Sequence, residues 1–112
     1  MCLFCKIVAR EVPGKIVYED DDVLAFADIR PVAPTHTLVI PKRHIVSIDD
    51  AKPEDAELLG KLMLVASKVA KDAGIQEGGW RFVINNGANA GQSVFHIHAH
   101  VLGGRAMQWP PG

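Results

Sequence analysis

The chain has 112 residues, of which 48% are hydrophobic and 22% charged, and its net charge is −1. This charge argues against broad electrostatic binding to nucleic acid, and no apolar run approaches the roughly 20 residues that cross a bilayer. The N-terminal stretch MCLFCKIVARE lacks the pattern of a secretory signal. We therefore expect one cytoplasmic domain over residues 1–112, without a nucleic-acid or membrane partner.

The first predicted elements are a short helix and three strands. LFCKIVARE predicts a helix from Leu3, which the following Pro-Gly pair ends. KIVYED and VLAFAD, from Lys15 and Val23, alternate like strands, and the acidic residues between them suit a hairpin. HTLVIP, from His36, predicts a third strand after a proline-rich break.

A long helix and two more strands complete the prediction. Apolar residues recur at three- and four-residue steps after Pro53, which predicts an amphipathic helix of about 20 residues that Gly74 ends. WRFVIN from Trp80 and FHIHAHVL from Phe95 predict the last strands. The fold class is α+β: about five mostly antiparallel strands, one long helix on a face of the sheet, and a short N-terminal helix.

Three of the five histidines stand at alternate positions of GQSVFHIHAHVLGG. Successive side chains of a strand point to opposite faces, so His96, His98 and His100 should project one way. Three interpretations compete: hydrogen-bonded structural residues, metal ligands, or the working groups of an active site. His-x-His on a strand is a common chelating pair, for which Asp28 could supply a distant carboxylate.

The sequence around the histidines favours phosphoryl chemistry. All acidic residues lie at or before Glu77, so no carboxylate is close in sequence to the three histidines. A structural or a metal-binding role would commonly use such a carboxylate as a partner. The loop NNGANAGQS, from Asn85, lets backbone N–H groups approach an anion closely. A neutral imidazole can attack phosphorus, and the resulting phosphohistidine reacts readily with water. The pattern therefore suggests a phosphoryl group held at the loop and presented to a histidine.

The run from His96 to Leu102 resembles the signature His-φ-His-φ-His-φ-φ of the histidine triad superfamily, where φ is hydrophobic. The resemblance extends over FCKIVAREVP, LAFADI, PTHTLVIPKRH and LGGRAMQWPPG. The last segment is similar to the Hint branch, the histidine triad nucleotide-binding proteins, rather than to the Fhit-type dinucleoside hydrolases.

This resemblance implies a homodimer with one continuous sheet that binds purine nucleotides such as AMP and GMP. It implies hydrolysis of purine nucleoside phosphoramidates and aminoacyl adenylates, with no cofactor required for catalysis. His98 would be the nucleophile that carries a nucleotidyl intermediate, and His100 would contact the phosphate. His96 and His36 would take part in the hydrogen-bond network behind the nucleophile. Ser93 would help to protonate the leaving nitrogen.

The resemblance also implies a nucleotide-binding set. Asp28 would bind the ribose hydroxyls, and four apolar residues would line the base pocket: Phe4, Ile7, Phe26 and Ile29. Asn85, Gln92 and Ser93 match residues of the phosphate loop. Trp109 belongs to a tail that lies near the partner subunit's site in the family and influences the leaving group. Gln108 departs from the histidine of some relatives.

Cys2 and Cys5 form a C-x-x-C pair that suggests half of a zinc site. No strand can precede residue 2, which argues against a thioredoxin-type redox site, and the alternative is two reduced thiols that pack as small apolar residues. In some bacterial relatives the pair joins two histidines at a structural zinc, and those positions match His44 and His96. One ring nitrogen of His96 can bind metal while the other donates a hydrogen bond.

Three alternatives to the phosphoramidase remain. Within the superfamily, the chain could be a dinucleoside polyphosphate hydrolase or a nucleotidyl transferase. From a different class, it could be a nucleotide-binding scaffold for which His98 is dispensable. Finally, it could be a catalytic metalloenzyme, and a chelator should then abolish its activity.

Overall fold

A five-stranded antiparallel sheet with a helix against each face forms the fold, which confirms the predicted α+β class. The computed structural model describes residues 2–112. The elements in chain order are α1 (Leu3–Val8), β1 (Ile16–Glu19), β2 (Val23–Ala27), β3 (Thr35–Pro41), α2 (Ala56–Asp72), β4 (Trp80–Ile84) and β5 (Ala99–Gly103). The strands lie in the order β1-β2-β3-β5-β4, so that β5 lies between β3 and β4.

The two faces of the sheet bury separate apolar clusters, as the two-residue period of a strand requires. One cluster joins the sheet to α2 and includes Val23, Ala25, Val39, Leu62, Val65, Ala66, Val69, Ile97, Ala99 and Val101. The other joins the sheet to α1 and consists of Phe4, Ile7, Leu24, Phe26, Leu38 and Ile40. The long helix thus covers one face, whereas the six-residue α1 covers only part of the other.

The long helix begins slightly later than its apolar pattern predicts. A 3₁₀ turn spans Pro53–Asp55, and α2 follows from Ala56 to Asp72, with Gly74 in the left-handed region at φ +76°. The Asp55 carboxylate accepts a hydrogen bond from the Lys52 N–H at 2.9 Å, which ties the turn at the start of the helix. Between residues 2 and 112, no helix is both long and apolar enough to cross a bilayer.

The last strand is shorter than predicted. The sequence predicts a strand from Phe95, but β5 begins at Ala99. Ahead of that residue the backbone follows a loop: the Ile97 N–H donates to the Ile45 carbonyl at 2.7 Å, outside the ladder with β3. Phe95 is 56% exposed instead of packing on the α2 face. The alternation nevertheless persists from His96 onward, because Ile97 joins the α2 cluster and His98 contacts Phe4 on the opposite face.

Gly104, directly after β5, should tolerate no side chain. Its φ is +91°, and a Cβ there would lie 2.8 Å from the Cβ of Pro34. Because backbone strain and overpacking add, Gly104→Ala is expected to lower the free energy of unfolding by about 2–4 kcal/mol in urea denaturation. Gly78→Ala is the control, since no atom of the described residues 2–112 lies within 4 Å of its added Cβ. Equal urea midpoints for the two variants would contradict the expectation.

Candidate active site

Sheet register brings the histidines of β3 and β5 together. Leu38 is paired with His100, and His36 lies two residues along the same face. The Nε2 of His36 is 2.9 Å from the Nδ1 of His100. This is the diagonal contact that neighbouring antiparallel strands allow between long side chains.

His98 is held in one tautomer. Its Nδ1–H donates to the backbone carbonyl of His96 at 2.8 Å, so the proton of the neutral ring sits on Nδ1. The side chain is only 5% exposed, with its ring edge-on to Phe4 at a centroid distance of 5.1 Å. The His100 ring lies at the same distance. The arrangement leaves the Nε2 lone pair of His98 available for reaction.

A cavity of about 380 Å³ lies against His98 and His100 on the α1 face. All four residues predicted for the base pocket line it, and so do Asp28 and Ser93. Phe4, Ile7 and Phe26 are buried, whereas Ile29 is 90% exposed. Further lining comes from residues that the sequence did not single out: Leu3, Val12, Pro13, Gly14, Ala27, Arg30, Leu38 and Val94. The sequence predicts that Pro13 and Gly14 end the first helix, but α1 ends earlier, at Val8, and the Pro-Gly pair instead lines the cavity.

Asp28 lies between the cavity and the histidine pair. Its Oδ1 accepts the Arg30 N–H at 2.9 Å, and its Oδ2 lies 3.3 Å from the Nε2 of His36. The side chain is 19% exposed. One carboxylate therefore both shapes the turn after β2 and faces the predicted nucleoside site.

The Gly-rich loop contains a short 3₁₀ turn, Ala88–Ala90, between two glycines with positive φ, Gly87 at +86° and Gly91 at +88°. Such backbone angles favour glycine because it has no Cβ. Ser93, at the end of the loop, is exposed and lines the cavity.

Gln92 organises this loop from inside. Its Oε1 accepts the Gly87 N–H at 2.8 Å, and its Nε2 donates to the Val46 carbonyl at 2.7 Å and to the Val94 carbonyl at 3.2 Å. The side chain is 5% exposed and does not line the cavity. Its polar atoms thus hold the loop in shape, whereas the resemblance places Gln92 among the phosphate-loop residues.

Besides Gln92, two more predicted nucleotide-binding residues, Asn85 and Trp109, do not line this cavity. Asn85 lines a second cavity of about 530 Å³, on the other side of His36 and His100. Trp109 is 82% exposed and lines neither cavity within one chain. The tail that carries it is tied to the sheet by a hydrogen bond of 2.9 Å from Arg81 Nη2 to the Gln108 carbonyl.

Burial favours the neutral forms of the His36 and His100 imidazoles. Desolvation lowers the pKa of His100 to about 4, and the nearby His98 and His36 add to this effect while Asp28 opposes it. Desolvation also lowers the pKa of His36, against the attraction of Asp28. At neutral pH each of these two rings therefore has one donor and one acceptor nitrogen.

The four residues of the predicted zinc site come together. Cys2 Sγ lies 3.4 Å from His96 Nδ1, Cys5 Sγ lies 3.4 Å from His44 Nδ1, and the two Nδ1 atoms are 3.2 Å apart. All four ligand atoms lie within 4.8 Å of one another. His96 Nε2 lies 2.8 Å from the Pro41 carbonyl, to which only an N–H can donate, so the Nδ1 lone pair points at the cysteines. Two thiolates and two imidazoles in this arrangement fit tetrahedral zinc.

The comparisons with known proteins agree with this geometry. The HIT domain model matches residues 9–107. An uncharacterized HIT-like protein of Synechocystis is 56% identical over 98% of this chain and 96% of its own. The crystal structure of a HIT family hydrolase from Legionella pneumophila superposes with a TM-score of 0.98 at 53% identity over the full length of both chains.

A more distant structure carries a more specific name. The histidine triad nucleotide-binding protein of Candida albicans superposes with a TM-score of 0.84 at 30% identity, over 98% of this chain and 83% of that one. The family model covers most of the chain, and the relatives share its full length. The chain belongs to the HIT domain family.

Proposed function

We propose that the protein hydrolyses purine nucleoside 5′-phosphoramidates through a nucleotidyl intermediate on His98. One observation carries the proposal: the 2.8 Å bond from His98 Nδ1–H to the His96 carbonyl, which leaves the Nε2 lone pair beside the 380 Å³ cavity. A nucleophile held in the reactive tautomer needs no further proton transfer before it attacks.

The lining of the cavity supports a nucleotide as substrate. The buried aromatic rings of Phe4 and Phe26, with Ile7 beside them, offer an apolar slot for a purine such as that of AMP or GMP. Asp28 supplies acceptors for ribose hydroxyls. The Legionella relative is named a hydrolase and the Candida relative a nucleotide-binding protein, which accords with this assignment.

The reaction proceeds in two displacements. His98 Nε2 forms a bond to phosphorus as the phosphorus–nitrogen bond of the substrate breaks, and the leaving amine takes up a proton with the help of the Ser93 hydroxyl. Water then attacks the nucleotidyl-histidine, which releases AMP and restores the imidazole. His100, beside His98, contacts the phosphoryl oxygens, and Gln92 keeps the loop that carries Ser93 in place.

Incubation of the purified chain with adenosine 5′-phosphoramidate, beside a diadenosine polyphosphate, tests the proposal. We expect AMP from the phosphoramidate at a much higher kcat/KM, and an adenylyl group on His98 after rapid alkaline quenching and digestion. Preference for the polyphosphate would favour a dinucleoside hydrolase or nucleotidyl transferase. Tight AMP binding without turnover of either compound would favour a nucleotide-binding scaffold.

We also propose that Cys2, Cys5, His44 and His96 hold a structural zinc ion. The support is the clustered donor set and the free Nδ1 of His96. The metal would join the N-terminal helix to the segments that carry the two histidines, and it supplies no step of the hydrolysis. The site needs reduced cysteines, which is in keeping with the cytoplasmic location expected from the sequence.

A homodimer joined along β4 is the third part of the proposal. This strand lies at an edge of the sheet, and its apolar residues Trp80, Phe82, Val83 and Ile84 are all only half-buried. An apolar edge strand with unpaired backbone groups is a ready template for another strand. Pairing of two such edges would give the continuous sheet. Sedimentation equilibrium should then report twice the mass of the chain.

A further inference from the structure

A line of hydrogen bonds runs from the surface to the reacting face of His100. The guanidinium of Arg105 donates to the Val32 carbonyl through Nη2 at 3.0 Å and through Nε at 3.3 Å. The Val32 N–H donates to His36 Nδ1 at 3.1 Å. His36 Nε2 lies 2.9 Å from His100 Nδ1. Across residues 2–112, the buried Nε2 of His100 finds no hydrogen-bond partner.

The donor at Val32 fixes the protons of both imidazoles. A backbone N–H can only donate, so His36 Nδ1 must accept, and the single proton of this neutral ring is on Nε2. That proton is directed at His100 Nδ1, which must accept in turn. The proton of His100 is then on Nε2, the atom that has no hydrogen-bond partner among the described residues. The lowered pKa values of both rings are consistent with these neutral forms.

His98 and His100 therefore hold opposite tautomers. His98 is protonated on Nδ1 and presents a lone pair, whereas His100 is protonated on Nε2 and presents a donor. A nucleophile needs the first form, and stabilisation of charge that develops on phosphoryl oxygens needs the second. The Nε2–H of His100 is thus free of protein acceptors within residues 2–112 and can donate to a phosphoryl oxygen of the substrate.

Arg105 donates both of its hydrogen bonds to Val32 at the carbonyl of this residue. The Val32 side chain is 61% exposed, so its own packing contributes little to the position of the backbone. The segment from Ile29 to Pro34 has no regular secondary structure. The two bonds from one guanidinium to the Val32 carbonyl tie this segment to the chain that follows β5. Arg105 itself is exposed, and it lines the second cavity rather than the one at His98.

We propose that Arg105 is a positioning residue: by holding Val32 against His36 it keeps the His100 proton on Nε2, facing the phosphoryl group. This inference rests on the proposed function for the role of that proton. The arrangement of tautomers itself is a property of the free protein and can be measured without substrate.

Long-range ¹H–¹⁵N NMR of the histidine rings tests the inference directly. Wild type should show the Nε2–H form for His36 and His100 and the Nδ1–H form for His98. Arg105→Met should show a mixture of forms at His36 and His100, with His98 unchanged. Arg105→Lys, which retains one donor to the carbonyl, should lie between the two. Arg81→Met removes another arginine–carbonyl bond on the same face and should leave all three tautomers as in wild type.

Kinetics supply the second measurement. Arg105→Met should lower kcat by about 10- to 100-fold with little change in KM, because the contacts with base and ribose come from other elements. Unchanged tautomers in Arg105→Met would overturn the positioning role, whatever its activity. Altered tautomers with kcat equal to wild type would overturn the role of the proton in the reaction. If wild type lacks hydrolysis but Arg105→Met still mixes the tautomers, the positioning role holds and the proposed function fails.

Discussion

A His98→Ala variant is expected to hydrolyse adenosine 5′-phosphoramidate at least about 10⁴-fold more slowly than wild type. The substitution removes the Nε2 atom that we propose attacks phosphorus. Within residues 2–112 the other imidazole that lines the cavity is that of His100, which presents an N–H in the proposed arrangement. Most cavity residues stay in place, so AMP should bind with an affinity within about tenfold of wild type. Steady-state kinetics and isothermal titration calorimetry measure the two quantities.

Chemical rescue distinguishes activity lost with the nucleophile from activity lost through a disturbed fold. In His98→Gly the deleted ring leaves a space beside Phe4, and added imidazole should restore part of the AMP release by attacking from that position. The buried location of His98 makes this control informative, because a disturbed core would not respond to imidazole. Hydrolysis by His98→Ala within tenfold of wild type would contradict the covalent mechanism.

Cys5→Ser is expected to lower the zinc content from one ion per chain to none and to lower Tm by about 15 °C. A ligand that binds only the folded state at a thousandfold excess over its Kd contributes about 4 kcal/mol, and about 4 °C is lost per kcal/mol in a domain of this size. Cys5 Sγ lies near both histidines of the cluster, at 3.4 Å from His44 and 3.6 Å from His96. Elemental analysis and calorimetry give the two values.

Chelation of wild type is the matched control. A chelator should lower the Tm of wild type to that of Cys5→Ser and should leave the variant unchanged. Below the lowered Tm, chelated wild type should keep most of its AMP release, because the zinc site that we propose is structural. Abolished hydrolysis in a chelated protein that is still folded would favour the catalytic metalloenzyme instead.

The sequence predicted most of the elements because their signals are local. Alternation marked β2 and β3, and the three- and four-residue spacing marked α2 with its end near Gly74. The start of β5 was predicted four residues too early. The alternation of side chains continues through His96 and His98, but the backbone there bonds Ile45 rather than a strand. Periodicity reports where side chains point and says nothing about backbone partners.

The candidate site was accessible from sequence in part. The three histidines from His96 to His100 stand out by their spacing, and the C-x-x-C pair by itself suggested half of a zinc site. The resemblance supplied the ribose role of Asp28, the base pocket and the two histidine ligands of the zinc site, which lie far apart in the chain. The roles of Val32 and Arg105 were not accessible. Their contacts join segments 73 residues apart, and one of the two partners is a backbone carbonyl, which any residue type can provide. The internal hydrogen bonds of Gln92 could not be predicted either, because the sequence does not distinguish a buried loop glutamine from an exposed one.

The two clusters on opposite faces of the sheet imply that selection can act on them separately. From Ile97 to Val101 the odd-numbered residues belong to the α2 cluster, and the even-numbered histidines line the cavity on the other face, where we propose the reaction takes place. Substitutions at odd positions should therefore change thermal tolerance, and those at even positions should change catalysis. One short segment thus contributes to stability and to the proposed catalysis through alternate residues. A mutant library restricted to the odd positions could change thermal tolerance at constant catalysis, and one restricted to the even positions could do the reverse.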